Sequence, residues 1–72
     1  MNTEKITLKE DEEFIRLDDC LKLTGCTETG GQAKIAIQSG EVRLNGEVCT
    51  MRGKKLRHGD IAEYKGTKIE VC

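Results

Sequence analysis

Residues 29–40, which read TGGQAKIAIQSG, decide the fold of the central part of this chain. Thr29 and Gln32 have the spacing of a capping box, in which both side chains accept hydrogen bonds from backbone N–H groups at a helix start. Small and apolar residues then recur at helical spacing, namely Ala33, Ala36, Ile37 and Gly40. Glycine is also typical of the position just after a helix. These features predict a short helix over residues 30–39.

The next six residues, EVRLNG at positions 41–46, predict a strand and a tight turn. Val42 and Leu44 alternate with Arg43, and this period of two is typical of a strand with one buried face. Asn45-Gly46 is a strong tight-turn dipeptide, since both residues adopt positive φ readily. The centre of the chain therefore predicts a capped helix, a glycine stop, a strand and a turn.

A second helix is predicted before this unit, over residues 17–24. The residues of one helical face recur at the required spacing: Leu17, Cys20, Leu21 and Thr24. Asp18 and Asp19 suit the first turn, and Gly25 suits the position after the last. About four residues join the two helices, which predicts an antiparallel or crossed helix pair.

Alternating residues on both sides of the helix pair predict short strands. Ile6 and Leu8 alternate with polar residues, residues 47–51 form a weak return strand, and residues 61–64 and 68–71 form two more. We therefore predict an α+β fold, with two short helices packed on one side of a small antiparallel sheet of three to four strands. A chain of 72 residues forms one small domain, here residues 1–72, and we expect a monomer.

Charge is unevenly distributed along the chain, although the net charge is only −1. Residues 1–15 carry −3 and residues 58–72 carry −1, whereas residues 16–57 carry +3. The densest basic segment is RGKKLR at positions 52–57, with four basic residues in six. A solubilising loop is one interpretation. Because Leu56 alone looks anchored inward, we favour a loop that lies beside a polyanion.

The cysteines and the single histidine form no recognisable catalytic or metal-binding pattern. Cys20, Cys26, Cys49 and Cys72 include no C-x-x-C pair, so free thiols are favoured over a zinc site or a disulfide framework. His58 stands beside a Gly-Asp turn and is interpreted as a surface residue. We expect no metal and no cofactor.

Hydropathy indicates no membrane partner. No apolar run approaches the roughly 18 residues that a spanning helix needs, and no signal peptide is recognised. We therefore expect a cytoplasmic protein.

An ordered series of residues resembles the S4 RNA-binding domain, also called the alpha-L RNA-binding motif. The series consists of Arg16-Leu17-Asp18, Leu21, Gly25, Thr29, Ala33, Ile37, Gly40, Val42, Leu44-Asn45-Gly46 and Gly59-Asp60. It covers residues 15–64, and the terminal strands fall outside it. Thr-Gly-Gly, Asn-Gly-Glu and the arginine-glycine-lysine-lysine-leucine run resemble a subgroup of stand-alone bacterial proteins. Gly30 departs from the pattern, because most relatives have an arginine at this place.

The resemblance implies binding to structured RNA, often ribosomal, through the helix pair and the adjoining basic hairpin. Phe14 and Tyr64 are the only aromatic residues, too few for stacking of single strands. The candidate contacts are two glycine amides and eight basic side chains: Gly30, Gly31, Arg16, Lys22, Lys34, Arg43, Arg52, Lys54, Lys55 and Arg57. The expected partners are ribosomal RNA or tRNA, and the ribosome or its proteins.

An enzyme and a protein-interaction module are the competing classes. The sequence shows no acid–base pair, no nucleophile with a nearby histidine and no phosphate loop with its lysine, so we expect no enzymatic activity. A protein-interaction module would need an exposed apolar patch. The sequence offers Ile35, Val48 and Met51 for such a patch, and this alternative stays open.

Overall fold

The computed structural model describes residues 2–72 and contains, within them, two helices and seven strands. In chain order the elements are β1 (Asn2–Ile6), β2 (Ile15–Arg16), α1 (Leu17–Leu23), α2 (Gly30–Gln38), β3 (Val42–Leu44), β4 (Glu47–Val48), β5 (Lys55–Leu56), β6 (Ile61–Tyr64) and β7 (Thr67–Val71). Both helices lie where the sequence predicts them, and the α+β class is confirmed.

The predicted cap of α2 is present with one change. The backbone N–H of Gln32 donates to the hydroxyl of Thr29 at 3.1 Å. The side-chain oxygen of Gln32 accepts from the N–H of Glu28 at 2.8 Å, one residue earlier than in a capping box. Gly40 ends the helix region with a φ of 83°, a conformation that a residue with a Cβ rarely adopts.

The end of α1 folds the chain back toward the start of α2. The N–H of Gly25 donates to the carbonyl of Lys22 at 3.1 Å, and the N–H of Cys26 donates to that of Leu21 at 3.0 Å. This pair of bonds is a Schellman motif, with Gly25 in the left-handed conformation at a φ of 78°. The short linker that results brings Gly30 against the side chain of Lys22.

Five strands form one mixed sheet in the order β1-β7-β6-β3-β4. The neighbours from β7 to β4 are antiparallel, whereas β1 pairs with β7 in parallel, with Ile6 opposite Val71. The sheet is therefore larger than predicted, and mixed rather than purely antiparallel. Alternation near the N-terminus indicates a strand but carries no information about its partner, which here comes from the other end of the chain.

A second, smaller sheet pairs β2 with β5, with Ile15 opposite Leu56 and Arg16 opposite Lys55. The sequence predicts only a turn or bulge in this basic segment, because two-residue strands are too short to show a period. For the same reason the return strand predicted over residues 47–51 shrinks to Glu47–Val48. The β2–β5 pair fixes the basic segment beside the first helix.

The core lies between the helices and one face of the large sheet. Its largest fully buried side chains include Leu17, Leu21, Ile37, Val42, Leu56, Ile69 and Val71. The prediction that Leu56 is anchored inward is confirmed, since its side chain is completely buried. Leu44 is half-buried and packs against this cluster. The helices, the sheet and the basic segment thus all pack on one hydrophobic core.

Cys20 should react far more slowly than the other cysteines in the native protein. All four cysteines are free in the structure, and Cys20 alone is fully buried. Burial, helped by the nearby Cys26, raises the pKa of Cys20 from 9.0 to about 12. Three pKa units correspond to roughly a thousandfold less reactive thiolate at neutral pH. Timed alkylation followed by mass spectrometry should show Cys20 protected until denaturant is added.

The same labelling tests the prediction that the cysteines are thiols in the cell. Protein unfolded directly from a cell lysate should be alkylated at all four positions. A disulfide or stoichiometric zinc found in that sample would contradict this prediction, and rapid labelling of native Cys20 would contradict its burial.

Candidate nucleic-acid interface

The basic segment 52–57 is held against the N-terminus of α1. The N–H of Leu17 donates to the carbonyl of Lys54 at 2.9 Å, and the N–H of Asp18 donates to that of Arg52 at 3.1 Å. Because Arg16 provides no side-chain cap for α1, these carbonyls satisfy N–H groups that a helix start would otherwise leave open. The backbone of the segment is therefore fixed, and the helix start beneath it cannot bind an anion.

We call the basic side chains around this segment the loop cluster: Arg16, Arg52, Lys54, Lys55 and Arg57. All five residues are exposed. The guanidinium of Arg16 lies 3.1 Å from the carboxylate of Asp18 and beside Gly53. The ammonium of Lys55 lies 4.8 Å from the centre of the Phe14 ring, at the distance of a cation–π contact. Two of the five side chains are thus already oriented by neighbours.

The Asn-Gly turn after β3 and the Gly-Asp turn before β6 together hold the C-terminal end of the basic segment. The carboxylate of Asp60 accepts from the N–H of Arg57 at 2.7 Å and from the side-chain amide of Asn45 at 3.1 Å. The side-chain oxygen of Asn45 in turn accepts from the N–H of Ile61 at 2.9 Å. Asn45 itself has a positive φ of 52°. The Asn-Gly and Gly-Asp turns therefore form one hydrogen-bonded clamp that positions the loop cluster.

A second group surrounds the start of α2, and we call it the helix cluster: Lys22, Gly30, Gly31 and Lys34. All four residues are exposed. Within residues 2–72 the N–H groups of Gly30 and Gly31 have no hydrogen-bond acceptor. A Cβ on Gly30 would lie 3.8 Å from Cδ of Lys22, so the amides and this basic side chain are adjacent. Open amides beside positive side chains are suited to a phosphate.

The two clusters lie at opposite ends of α1. Lys22 is in its last turn and Arg16 precedes its first residue. At 1.5 Å per residue the separation along the helix axis is about 9 Å. Acidic Asp19 is exposed between them. The structure thus brings nine of the ten predicted residues into two groups, one at each end of α1, with a break between the groups.

Arg43 is the predicted residue that the structure separates from the others. Val42 and Leu44 point into the core, so Arg43 lies on the outer face of the sheet, away from the helices. Its cross-strand neighbours there are Val48 and Glu63. The sheet itself lies between Arg43 and the two helices. We therefore leave Arg43 out of the interface that we propose below.

Sequence reasoning assigns Asn45 only to its own turn and gives Asp60 and Phe14 no role in the site. The Asn-Gly and Gly-Asp dipeptides were visible as turn signals. The bond between them spans fifteen residues, so no local pattern could reveal it. These residues act by positioning the basic segment.

The described part of the chain lacks a metal-binding cluster and a membrane-spanning helix. No group of three or more His, Cys, Asp or Glu side chains in residues 2–72 is arranged to hold a metal ion. No helix in this part of the chain has the length and apolar character needed to span a membrane.

The chain matches the S4 domain family when it is compared with known proteins. The sequence profile of the S4 domain matches residues 2–72, which extends the predicted 15–64 to both terminal strands. YbcJ of Escherichia coli, provisionally named an RNA-binding protein, is 40% identical over 57 residues, covering 79% of this chain and 81% of YbcJ. RlbA of Bacillus subtilis, provisionally named a ribosome maturation protein, is 41% identical over 56 residues, covering 78% of this chain and 79% of RlbA.

Two further comparisons concern a ribosomal protein and a solved structure. The small ribosomal subunit protein uS4 of Rhodopirellula baltica is 41% identical over 51 residues, 71% of this chain but only 25% of that protein. The solution structure of Escherichia coli YbcJ superposes with a TM-score of 0.70 at 35% identity, covering 99% of this chain and 89% of that one. That structure is described as revealing an alpha-L motif involved in RNA binding.

Proposed function

The chain belongs to the S4 domain family, and on this premise we propose that it binds structured RNA through the loop cluster and the helix cluster. The relatives named for RNA binding support the class of ligand. The composition of the two clusters supports the surface. RNA carries a dense row of phosphates, and basic side chains that replace its counterions supply most of the affinity.

The observation that carries this proposal is the fixed, outward presentation of the basic segment. Its backbone is tied to α1 through the carbonyls of Arg52 and Lys54 and to the turn at Asp60. The four basic side chains between these ties remain exposed. A solubilising loop does not require such a rigid frame, whereas a site for a shaped polyanion gains affinity from being preorganised.

A folded RNA fits this surface better than a single strand does. Single-strand binding relies on aromatic side chains that stack on successive bases. Phe14 is half-buried beneath Lys55, and Tyr64 is nearly buried. The exposed groups are instead charges and amides, which contact the phosphates and riboses of a helix or folded loop.

We further propose that the RNA is ribosomal and that the protein acts in the cytoplasm on ribosomes or their precursors. The names of RlbA and uS4 among the relatives support this choice. tRNA is the other folded RNA that the same surface would accept. We propose a binding protein without catalytic activity, acting as a monomer.

Titration of a ribosomal RNA hairpin and of an unstructured strand of the same composition tests this proposal. We expect tighter binding to the hairpin, and an affinity that falls linearly with salt on a log–log scale. Equal affinity for the two RNAs would contradict the preference for structure. Absence of salt-dependent binding to any folded RNA would contradict RNA binding itself.

Gly31→Ala should stabilise the fold slightly and weaken RNA binding. A Cβ at Gly31 would lie no closer than 3.8 Å to its nearest neighbour, Oγ1 of Thr29, so packing does not oppose it. Removing glycine from a helix start stabilises a protein by about 0.5 kcal/mol. Because the added methyl group obstructs the open amides, we expect about threefold weaker RNA binding. A negative charge near a helix N-terminus is stabilised by roughly 0.3–1 kcal/mol, which corresponds to a loss of this size.

Thermal unfolding and RNA titration on the same preparation of Gly31→Ala measure the expected gain in stability and the expected loss of RNA affinity. Gln38→Ala, at the other end of α2, is the matched control and should leave affinity unchanged. A destabilised Gly31→Ala would indicate that the glycine serves packing. A stabilised variant with unchanged affinity would exclude the amides from the interface.

A further inference from the structure

A groove beside the loop cluster combines apolar surface with a lysine. It has a volume of about 280 Å³ and is lined by Leu44, Glu47, Val48, Cys49, Thr50, Met51 and Lys54. A second groove of about 360 Å³ is lined by Met51, Gly53, Lys54, Lys55 and Arg57. Met51 and Lys54 line both grooves, so the apolar groove continues directly into the loop cluster.

Two of the most exposed apolar side chains of the described chain lie in this groove. Val48 is 54% exposed and Met51 is 64% exposed. Exposed apolar residues that share one groove indicate a binding surface more strongly than scattered ones do. Ile35, the third candidate for an apolar patch, is also exposed but lies in a different groove, beside α2.

The backbone around the groove is held at several points. The N–H of Cys49 donates to the carbonyl of Val42 at 3.0 Å, and the N–H of Lys54 donates to that of Met51 at 3.1 Å. The second bond closes a turn whose ends are Met51 and Lys54. The same turn is held to α1 through the carbonyl of Arg52. The apolar and basic side chains therefore have a fixed relation to each other.

We propose that this groove receives one unpaired base of the bound RNA while the loop cluster holds the adjacent phosphates. The inference rests on the function proposed above and adds a class of substrate: an RNA helix interrupted by an unpaired nucleotide. The methionine thioether makes favourable contacts with aromatic rings, and every base offers an aromatic face. Val48 completes the apolar surface.

Charge favours a base over a phosphate inside the groove. Glu47 lines the groove, and its carboxylate makes no ion pair among the described residues. It repels a phosphate or an acidic side chain inside the groove, whereas an uncharged base is accepted. The volume, just below the roughly 300–1,000 Å³ of small-molecule sites, suits one base.

Two RNA hairpins that differ by a single unpaired nucleotide provide the test. The wild-type protein should bind the interrupted hairpin at least fivefold more tightly than the fully paired one. The double variant Val48→Ala, Met51→Ala should lose this difference and keep its affinity for the paired hairpin. Leu23→Ala is the matched control, because Leu23 is 71% exposed and lies outside both grooves.

The two affinities separate this inference from the function on which it rests. Equal binding of the two hairpins by the wild-type protein, with normal salt dependence, would overturn the base site and leave RNA binding intact. A double variant that still distinguishes the hairpins would also overturn it. Parallel unfolding curves show whether the variant retains the fold, and both of its changes are at exposed positions.

Discussion

Replacing Lys54, Lys55 and Arg57 together by glutamate should weaken RNA binding at least tenfold, or by about 1.4 kcal/mol. The three side chains are exposed, and the bonds that hold the segment come from its backbone. The fold should therefore survive while three positive charges become negative. Each lost phosphate contact also lowers the slope of log affinity against log salt by about 0.9 on duplex-like RNA.

A matched control requires the same charge change elsewhere on the protein. Lys5, Lys9 and Lys68 are exposed and lie on or next to the terminal strands. Their triple replacement by glutamate should reduce affinity much less, since only the long-range field changes. Equal losses in the two triple variants would mean that net charge alone governs binding. Unchanged affinity in the folded loop variant would favour a protein-interaction module instead.

Asp60→Ala should be the most destabilising single change outside the core. Its carboxylate accepts from the N–H of Arg57 and from the side chain of Asn45, and both donors lose their acceptor in the variant. We expect a loss of about 2 kcal/mol in the free energy of unfolding. In a domain of this size the Tm should fall by roughly 8–16 °C.

Urea and thermal unfolding measure this loss directly. Asp11→Ala is the control, because it removes the same charge from an exposed position whose side chain makes no hydrogen bond among the described residues. The control should unfold like the wild-type protein. If Asp60→Ala did the same, the clamp between the two turns would not contribute to stability.

The elements that the sequence predicts well are those whose signals are local. The helix from Gly30 to Gln38 follows from its cap, its apolar spacing and its terminal glycine, all within twelve residues. The inward anchor at Leu56 follows from one apolar residue among charges. In each case the cause and the structure lie in the same short segment.

The features that sequence reasoning missed depend on pairing across the chain. The parallel contact of β1 with β7 joins the two ends, and the β2–β5 pair joins two-residue segments on either side of the helices. The bond from Asn45 to Asp60 joins two turns. Hydrophobic periodicity gives the exposed and buried faces of an element and does not identify its partner.

The predictions for the candidate site also divide into those that a local signal supports and those that depend on the three-dimensional arrangement. Charge counting identified the dense segment at 52–57, and the structure supports its outward presentation. Counting also included Arg43, although the alternation that places Val42 and Leu44 in the core already turns Arg43 to the opposite face. Regional net charge ignores the face on which each charge lies.

Crosslinking the protein to RNA in the cells that express it, followed by sequencing, tests RNA binding most directly. We predict crosslinks concentrated in structured segments of ribosomal RNA, and a loss of at least tenfold with the loop variant Lys54→Glu, Lys55→Glu, Arg57→Glu. Crosslinks that stay at background level, or that are equally strong in the wild-type protein and in this variant, would contradict RNA binding through the basic segment.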